Sequence, residues 1–183
     1  MKKFLLFCIL SVTALGGCTK ENEVYAVGED QWPTVKAGAV SEKAFRDAVV
    51  GFGWKSGVTY TMKGGKVTKE VYGQGLKGYS SYYGYFFDEN KRVAFLSPDW
   101  YPCNGFYKRS YEYRPDGCAV FISGYKEMVI ARVGSNSFDA IELMGVSSDG
   151  EKHFGFTTYY RMSSEELSAA RSKYDTDLDS VMD

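Results

Sequence analysis

Histidine is almost missing from this chain. There is one in 183 residues, alongside four cysteines and four prolines, and 22 Lys and Arg are offset by 23 Asp and Glu. A single imidazole and few thiols leave little from which to build a zinc or haem site. The stretch that imitates a metal loop, Asp175-x-Asp177-x-Asp179, lacks the glycine at its sixth place and the closing glutamate of a calcium loop, and reads as a solvated tail. Any Ser-His-Asp or Cys-His arrangement has to use His153, which starts a predicted strand beside the turn at Asp149-Gly150 and reads as a surface residue. No catalytic constellation, metal or cofactor is therefore expected. A net charge of −1 lacks the basic excess that phosphate binding needs, which argues against nucleic acid as the main partner. Paired carboxylates for glycoside hydrolysis leave no mark in a sequence when they sit on neighbouring strands, and nothing here singles out such a pair.

Long apolar runs are also scarce, with one exception at the start. Met1-Lys2-Lys3 is cationic, and Phe4 to Leu15 is almost unbroken apolar sequence. That run is too short to cross a ~30 Å hydrocarbon core as a permanent helix. It matches a secretory signal, so residues 1–17 are set apart from the fold. Leu15-Gly16-Gly17-Cys18 resembles the lipobox of bacterial lipoproteins. The resemblance implies cleavage before Cys18 and fatty (palmitate) acylation of its thiol, with the acyl chains as the only membrane contact. Loss of Lys2 and Lys3 leaves 20 basic against 23 acidic side chains, so the domain is expected to stand off an anionic lipid surface. Thr19-Lys20-Glu21-Asn22-Glu23 is similar to the acidic stretch of Bacteroidetes lipoproteins, which implies an outer-membrane lipoprotein, periplasmic or surface-facing.

Residues 18–40, with Pro33 and scattered charge but no periodicity, read as the lipidated tether. Ser41 caps a short helix in which Phe45, Ala48 and Val49 share one face, and Gly51-Phe52-Gly53 ends it. Turn residues then recur at Gly64-Gly65, Asp88-Glu89-Asn90, Pro115-Asp116-Gly117, Ser135-Asn136 and Asp149-Gly150. The runs between them alternate with period two, predicting strands near 54–62, 66–73, 79–87, 91–97, 105–113, 118–123, 127–133, 137–144 and 153–162. No helix interrupts them, which excludes parallel βαβ units and predicts an antiparallel sheet. So many short strands must deal with exposed edges, and closing into a barrel removes them. Ser163 and Glu166 form a capping box that opens a helix running to about Lys173. The chain has the length of one domain, placed at 41–175 and followed by an acidic tail at 176–183.

Gly51-Phe52-Gly53-Trp54 follows the short helix, and Tyr159-Tyr160-Arg161 closes the last strand before the second helix. With these two ends, the arrangement resembles a calycin, the lipocalin-like domain of Bacteroidetes lipoproteins. The resemblance implies a mostly β fold, an up-and-down antiparallel barrel of about eight strands with a short N-terminal and a C-terminal helix. It also implies that Trp54 and Arg161 close the barrel base by a cation–π contact of about 0.5–2 kcal/mol. The glycine spacing departs from the lipocalin pattern, since Gly53 is adjacent to Trp54 and Gly51 lies three residues before it. A barrel of this size encloses one small ligand or is filled by its own side chains.

The densest aromatic segment runs from Tyr79 to Phe87, where Tyr79, Ser81, Tyr83, Tyr85 and Phe87 share a face if extended. One reading makes Tyr83 and Tyr85 a stacking surface for a ligand, since tyrosine offers a flat ring with a polar tip; the other makes them core. Trp100 and Tyr101, in a loop, are candidates for the lip of a binding mouth or for a loop folded over the barrel end. Arg109 shares the aromatic face of its strand with Tyr111 and Tyr113. Inside a barrel it must either orient an anionic head group or meet an internal carboxylate. Cys103 and Cys118 flank the predicted strand 105–113, which at ~3.3 Å per residue holds them about 25–30 Å apart, beyond the reach of a disulfide. They read as two free or buried thiols. The expected function is a non-enzymatic, lipid-anchored module of the cell envelope binding a small amphipathic or carbohydrate ligand at an aromatic-lined mouth. The alternative is a structural or protein-interaction lipoprotein with a filled barrel.

Overall fold

The computed structural model describes residues 25–28, 30–72, 84–96 and 109–172. The signal segment, Cys18, Tyr83, Trp100, Tyr101, Cys103 and the acidic tail lie outside the described residues. Two short strands come first, β1 (Ala26–Val27) and β2 (Pro33–Thr34), then the helix α1 (Glu42–Val49). Nine strands follow: β3 (Gly53–Lys63), β4 (Lys66–Val71), β5 (Gly84–Phe87), β6 (Arg92–Leu96), β7 (Arg109–Arg114), β8 (Ala119–Ile122), β9 (Tyr125–Val133), β10 (Ser137–Val146) and β11 (Lys152–Arg161). Helix α2 (Ser164–Ser172) closes the described chain. Among the described residues no helix is long and apolar enough to cross a membrane.

Every pairing is antiparallel, each strand from β5 to β11 lies beside its neighbour in sequence, β3 pairs with both β4 and β5, and β11 pairs back onto β3 to close the sheet. Of the predicted strands 66–73 and 79–87, the described parts, β4 and β5, occupy a single position in the wall. β4 pairs with the far half of β3 through Tyr60, Met62 and Lys63, and β5 pairs with the near half through Gly53, Trp54 and Lys55. The result is a closed antiparallel barrel of eight strand positions, which leaves no full edge exposed.

One end of the barrel is shut. Ser41 caps α1 by accepting the Ala44 N–H at 3.1 Å, and the helix turns Phe45 and Val49 into the barrel core. Phe45 stacks on Tyr113 at 4.6 Å between ring centroids and meets Phe87 edge-on. The Trp54 indole N–H donates to the Val49 carbonyl at 2.8 Å, and the Tyr113 hydroxyl to the Val40 carbonyl at 2.7 Å. Both bonds satisfy backbone carbonyls that would otherwise be buried bare at the end of the plug. At the same end α2 begins with the predicted capping box: Glu166 N–H donates to Ser163 Oγ, and Ser163 N–H donates to the Glu166 carboxylate. Lys55 pairs with Glu166, which ties α2 to the wall.

Residues 25–40 were expected as a tether, and from Tyr25 onward they are a strap packed on the barrel. Tyr25, Trp32 and Val40 are buried. The reason lies in the outer wall, where Val129, Ile141, Phe154 and Phe156 face away from the lumen and form a second apolar cluster with Met62 and Val67. That surface needs a cover, and the strap supplies one: Trp32 packs on Phe154 at 5.0 Å and Tyr25 on Phe156 at 6.0 Å. Its ends are pinned by polar bonds, Lys126 to the Asp30 carboxylate and Tyr25 N–H to the Gly65 carbonyl, each at 2.7 Å. Gly65 sits at φ +73°, and a Cβ there would lie 2.0 Å from the Tyr25 carbonyl oxygen. Only glycine allows the strap this close.

Candidate functional site

Following the inward-facing residues from the plugged end toward the hairpin rim, the lumen changes character on every long strand. On β10 the order is Phe138, Ala140, Glu142; on β9 it is Ile130, Met128 and then Glu127 at a bulge. On β7 Tyr113 and Tyr111 give way to Arg109, and on β11 Tyr159 gives way to Thr157, which shares a hydrogen bond with Thr59 of β3 at 2.9 Å. The lower lumen is an aromatic floor. Trp54, Tyr85, Phe87, Phe138 and Tyr159 are all 2% exposed or less, with Phe138 stacked on Tyr159 at 4.8 Å and Tyr85 stacked on Phe87 at 5.6 Å.

A polar network sits on that floor. The buried Glu142 carboxylate, 4% exposed, accepts the Tyr159 hydroxyl at 2.7 Å and lies 3.2 Å from the Tyr85 hydroxyl. The same Tyr85 oxygen is 3.3 Å from Glu127 Oε1. Desolvation pushes the Glu127 carboxyl above its ordinary range, against the opposing pull of the Tyr85 hydrogen bond and the Arg109 charge. The single Tyr85 hydroxyl proton is thus shared between two acceptors, Glu127 and Glu142, while Tyr159 donates to Glu142 alone. Burial grades outward from Glu142 to half-buried Glu127 to exposed Arg109. The arrangement joins two carboxyl and two hydroxyl groups into one hydrogen-bonded cluster above the aromatic floor.

The sequence-derived candidates divide accordingly. Tyr85 joins the network from the floor. Arg109 is exposed at the start of β7, and its charge pulls the half-buried Glu127 carboxyl downward against the larger effect of desolvation. Tyr111 does not reach the upper lumen. Its ring meets Phe45 and Phe87, and its hydroxyl donates to the Asp88 carbonyl at 3.1 Å, so burial pushes that hydroxyl up to about 12. It belongs to the plugged end because α1 and the β5–β6 turn draw it there. Trp54 and Arg161 are register partners, as the base-closing pair requires. The guanidinium, however, lies 3.2 Å over Phe52 and 6.0 Å from Trp54, so Phe52 takes the main cation–π contact. Cys118 is a free, fully buried thiol whose sulfur accepts the Val40 N–H. His153 is exposed.

Sequence reasoning missed Glu127, Glu142 and Tyr159 as one group, because their meeting depends on strand register. It also missed Tyr72, whose hydroxyl donates to the Met144 carbonyl at 3.3 Å and so reaches from the end of β4 to β10. Among the described residues no cluster of His, Cys, Asp and Glu is arranged to hold a metal ion. Compared with protein-family models and with curated proteins, the chain matches none.

Proposed function

We propose that this protein is a lipid-anchored, lipocalin-like binding module of the bacterial cell envelope, held at the outer membrane through acylated Cys18. Its barrel accepts a small amphipathic or carbohydrate ligand, the polar part of which meets Glu127, Glu142 and Arg109 while Tyr85 and Phe95 supply ring surface. One observation carries this reading: on four strands the lumen-facing side chains turn from apolar to polar with distance from the plug. A barrel packed only for its own stability gains nothing from burying carboxylates in its upper half, because desolvation penalises each of them. The filled-barrel alternative draws on the lower lumen, where Trp54, Phe87 and Tyr159 have no exposed surface.

Titration of sugars, phospholipids and bile-salt-like amphiphiles against tryptophan fluorescence tests the proposal. A saturable response that Glu142→Gln and Arg109→Ala each weaken, with the fold intact by circular dichroism, supports it. A flat response across all three classes overturns it in favour of the filled barrel.

A further inference from the structure

The three most exposed apolar side chains lie at one end of the barrel, whereas Val58 and Tyr160, each 49% exposed, lie on the wall and toward the plugged end. Among the described residues, three large hydrophobic side chains are more than half exposed: Val27 at 57%, Tyr125 at 77% and Val146 at 57%. Tyr125 begins β9 directly after the Ser123-Gly124 turn, and Val146 ends β10 at the next hairpin on the same side. Val27 belongs to the strap where it touches the Gly64-Gly65 hairpin. All three connections lie at the rim opposite the α1 plug. Lys63 and Lys66 flank the first hairpin and Lys152 begins the strand after the last. A tyrosine and aliphatic tips among lysines suit the boundary between headgroups and acyl chains, where amphipathic rings and long basic side chains settle.

The start of the described chain points the same way. Tyr25 is bonded to Gly65 at that rim. Cys18 lies seven positions earlier, a span of at most about 25 Å fully extended. The plugged end lies roughly 25–30 Å farther off along β3, taking ~3.3 Å per residue and the usual strand tilt. An anchor on Cys18 therefore keeps the mouth within about 25 Å of the lipid surface.

We infer that the rim of the barrel is the membrane-facing surface, and that an amphipathic ligand passes directly between the bilayer carrying the anchor and the upper lumen. This rests on the acylated Cys18 of the proposed function. Three apolar tips bind a bilayer weakly by themselves, and the anchor makes their contact effectively intramolecular. The whole-domain charge, which alone favours standing off, is not the charge at the rim. There Lys63 is paired with Glu70 and Lys126 with Asp30, each at 2.7 Å, and the Lys152 ammonium donates to the Asp30 carbonyl at 2.7 Å. Contact is therefore apolar and independent of anionic lipid.

The test uses the full lipidated chain on phosphatidylcholine vesicles. A fluorophore is placed at Tyr125→Cys or, at the opposite end, at Asn136→Cys, each in a Cys103→Ser background that leaves the buried Cys118 in place. Quenching by a nitroxide-labelled lipid is expected at position 125 and not at 136, unchanged by added salt or by anionic lipid. Equal quenching at both positions, or stronger quenching at 136, overturns the orientation. A chain whose intact mass lacks the acyl groups, and which does not float with the vesicles, overturns the anchor and the orientation together. Mass and flotation thus separate the two failures.

Discussion

The Tyr159 hydroxyl lies 2.7 Å from Glu142 Oε1, on the adjacent strand and 17 residues earlier in the chain, and both groups are buried. A buried carboxylate without donors is among the most unfavourable groups a core can hold, so this bond secures the lumen as well as shaping it.

Tyr159→Phe should therefore destabilise the barrel by about 1–3 kcal/mol, the penalty of leaving a buried acceptor short of a donor. Urea unfolding followed by tryptophan fluorescence reads this as a lower midpoint at unchanged slope. Tyr85→Phe should have a smaller effect, because its hydroxyl stands at longer distances, 3.2 and 3.3 Å, from two carboxylates.

Phe45→Ala should remove the plug's main contact with the core and cost about 3–5 kcal/mol. Phe45 is 1% exposed and touches Phe87, Tyr111 and Tyr113. Thermal denaturation should show a large fall in Tm, and the loss of the stacked Tyr113 ring should appear in the near-ultraviolet circular dichroism.

The Glu127 carboxyl has a folded-state pKa raised by desolvation. The unfolded chain releases this proton first, so Glu127 lowers stability progressively as pH rises from the ordinary carboxylate value through its raised one. Asp30, Asp47 and Glu166 are held below their ordinary values by lysine partners and act with the opposite sign, losing stability as pH falls. The informative quantity is thus the difference between wild type and Glu127→Gln. The variant should gain relative stability with rising pH across that window, and a difference that stays constant with pH refutes the assignment.

Gly65→Ala should release the strap. The new methyl group would meet the Tyr25 carbonyl at 2.0 Å, whereas at Gly64, also in the left-handed region, a Cβ meets nothing within 4 Å. Gly64→Ala carries only the backbone penalty of about 1 kcal/mol. Limited trypsin digestion should cut at Lys36 faster in Gly65→Ala than in Gly64→Ala.

Much of the wall is legible residue by residue. The Ser163–Glu166 box, the Ser41 cap and the Gly64-Gly65 turn act within three or four residues, so the interactions that select them are already present in the local string. Period two marks the strands because one face of each meets the lumen. The same rule explains an error. β9, β10 and β11 carry apolar residues on both faces, and nothing local says that the outer set needs a cover or that residues 25–40 supply it.

Arg161 shows the limit most clearly. Its pairing with Trp54 follows once β11 meets β3, yet the nearer ring is Phe52, two residues away, because the guanidinium swings to whichever face the closed base presents. Short-range chemistry thus settled the caps, turns, strands and the antiparallel class, since each depends on neighbours along the chain. Closure of the barrel decided the carboxyl network of Glu127, Glu142, Tyr85 and Tyr159, the strap and the plugged floor. Those contacts join residues tens of positions apart, and their register exists only after every intervening hairpin has formed.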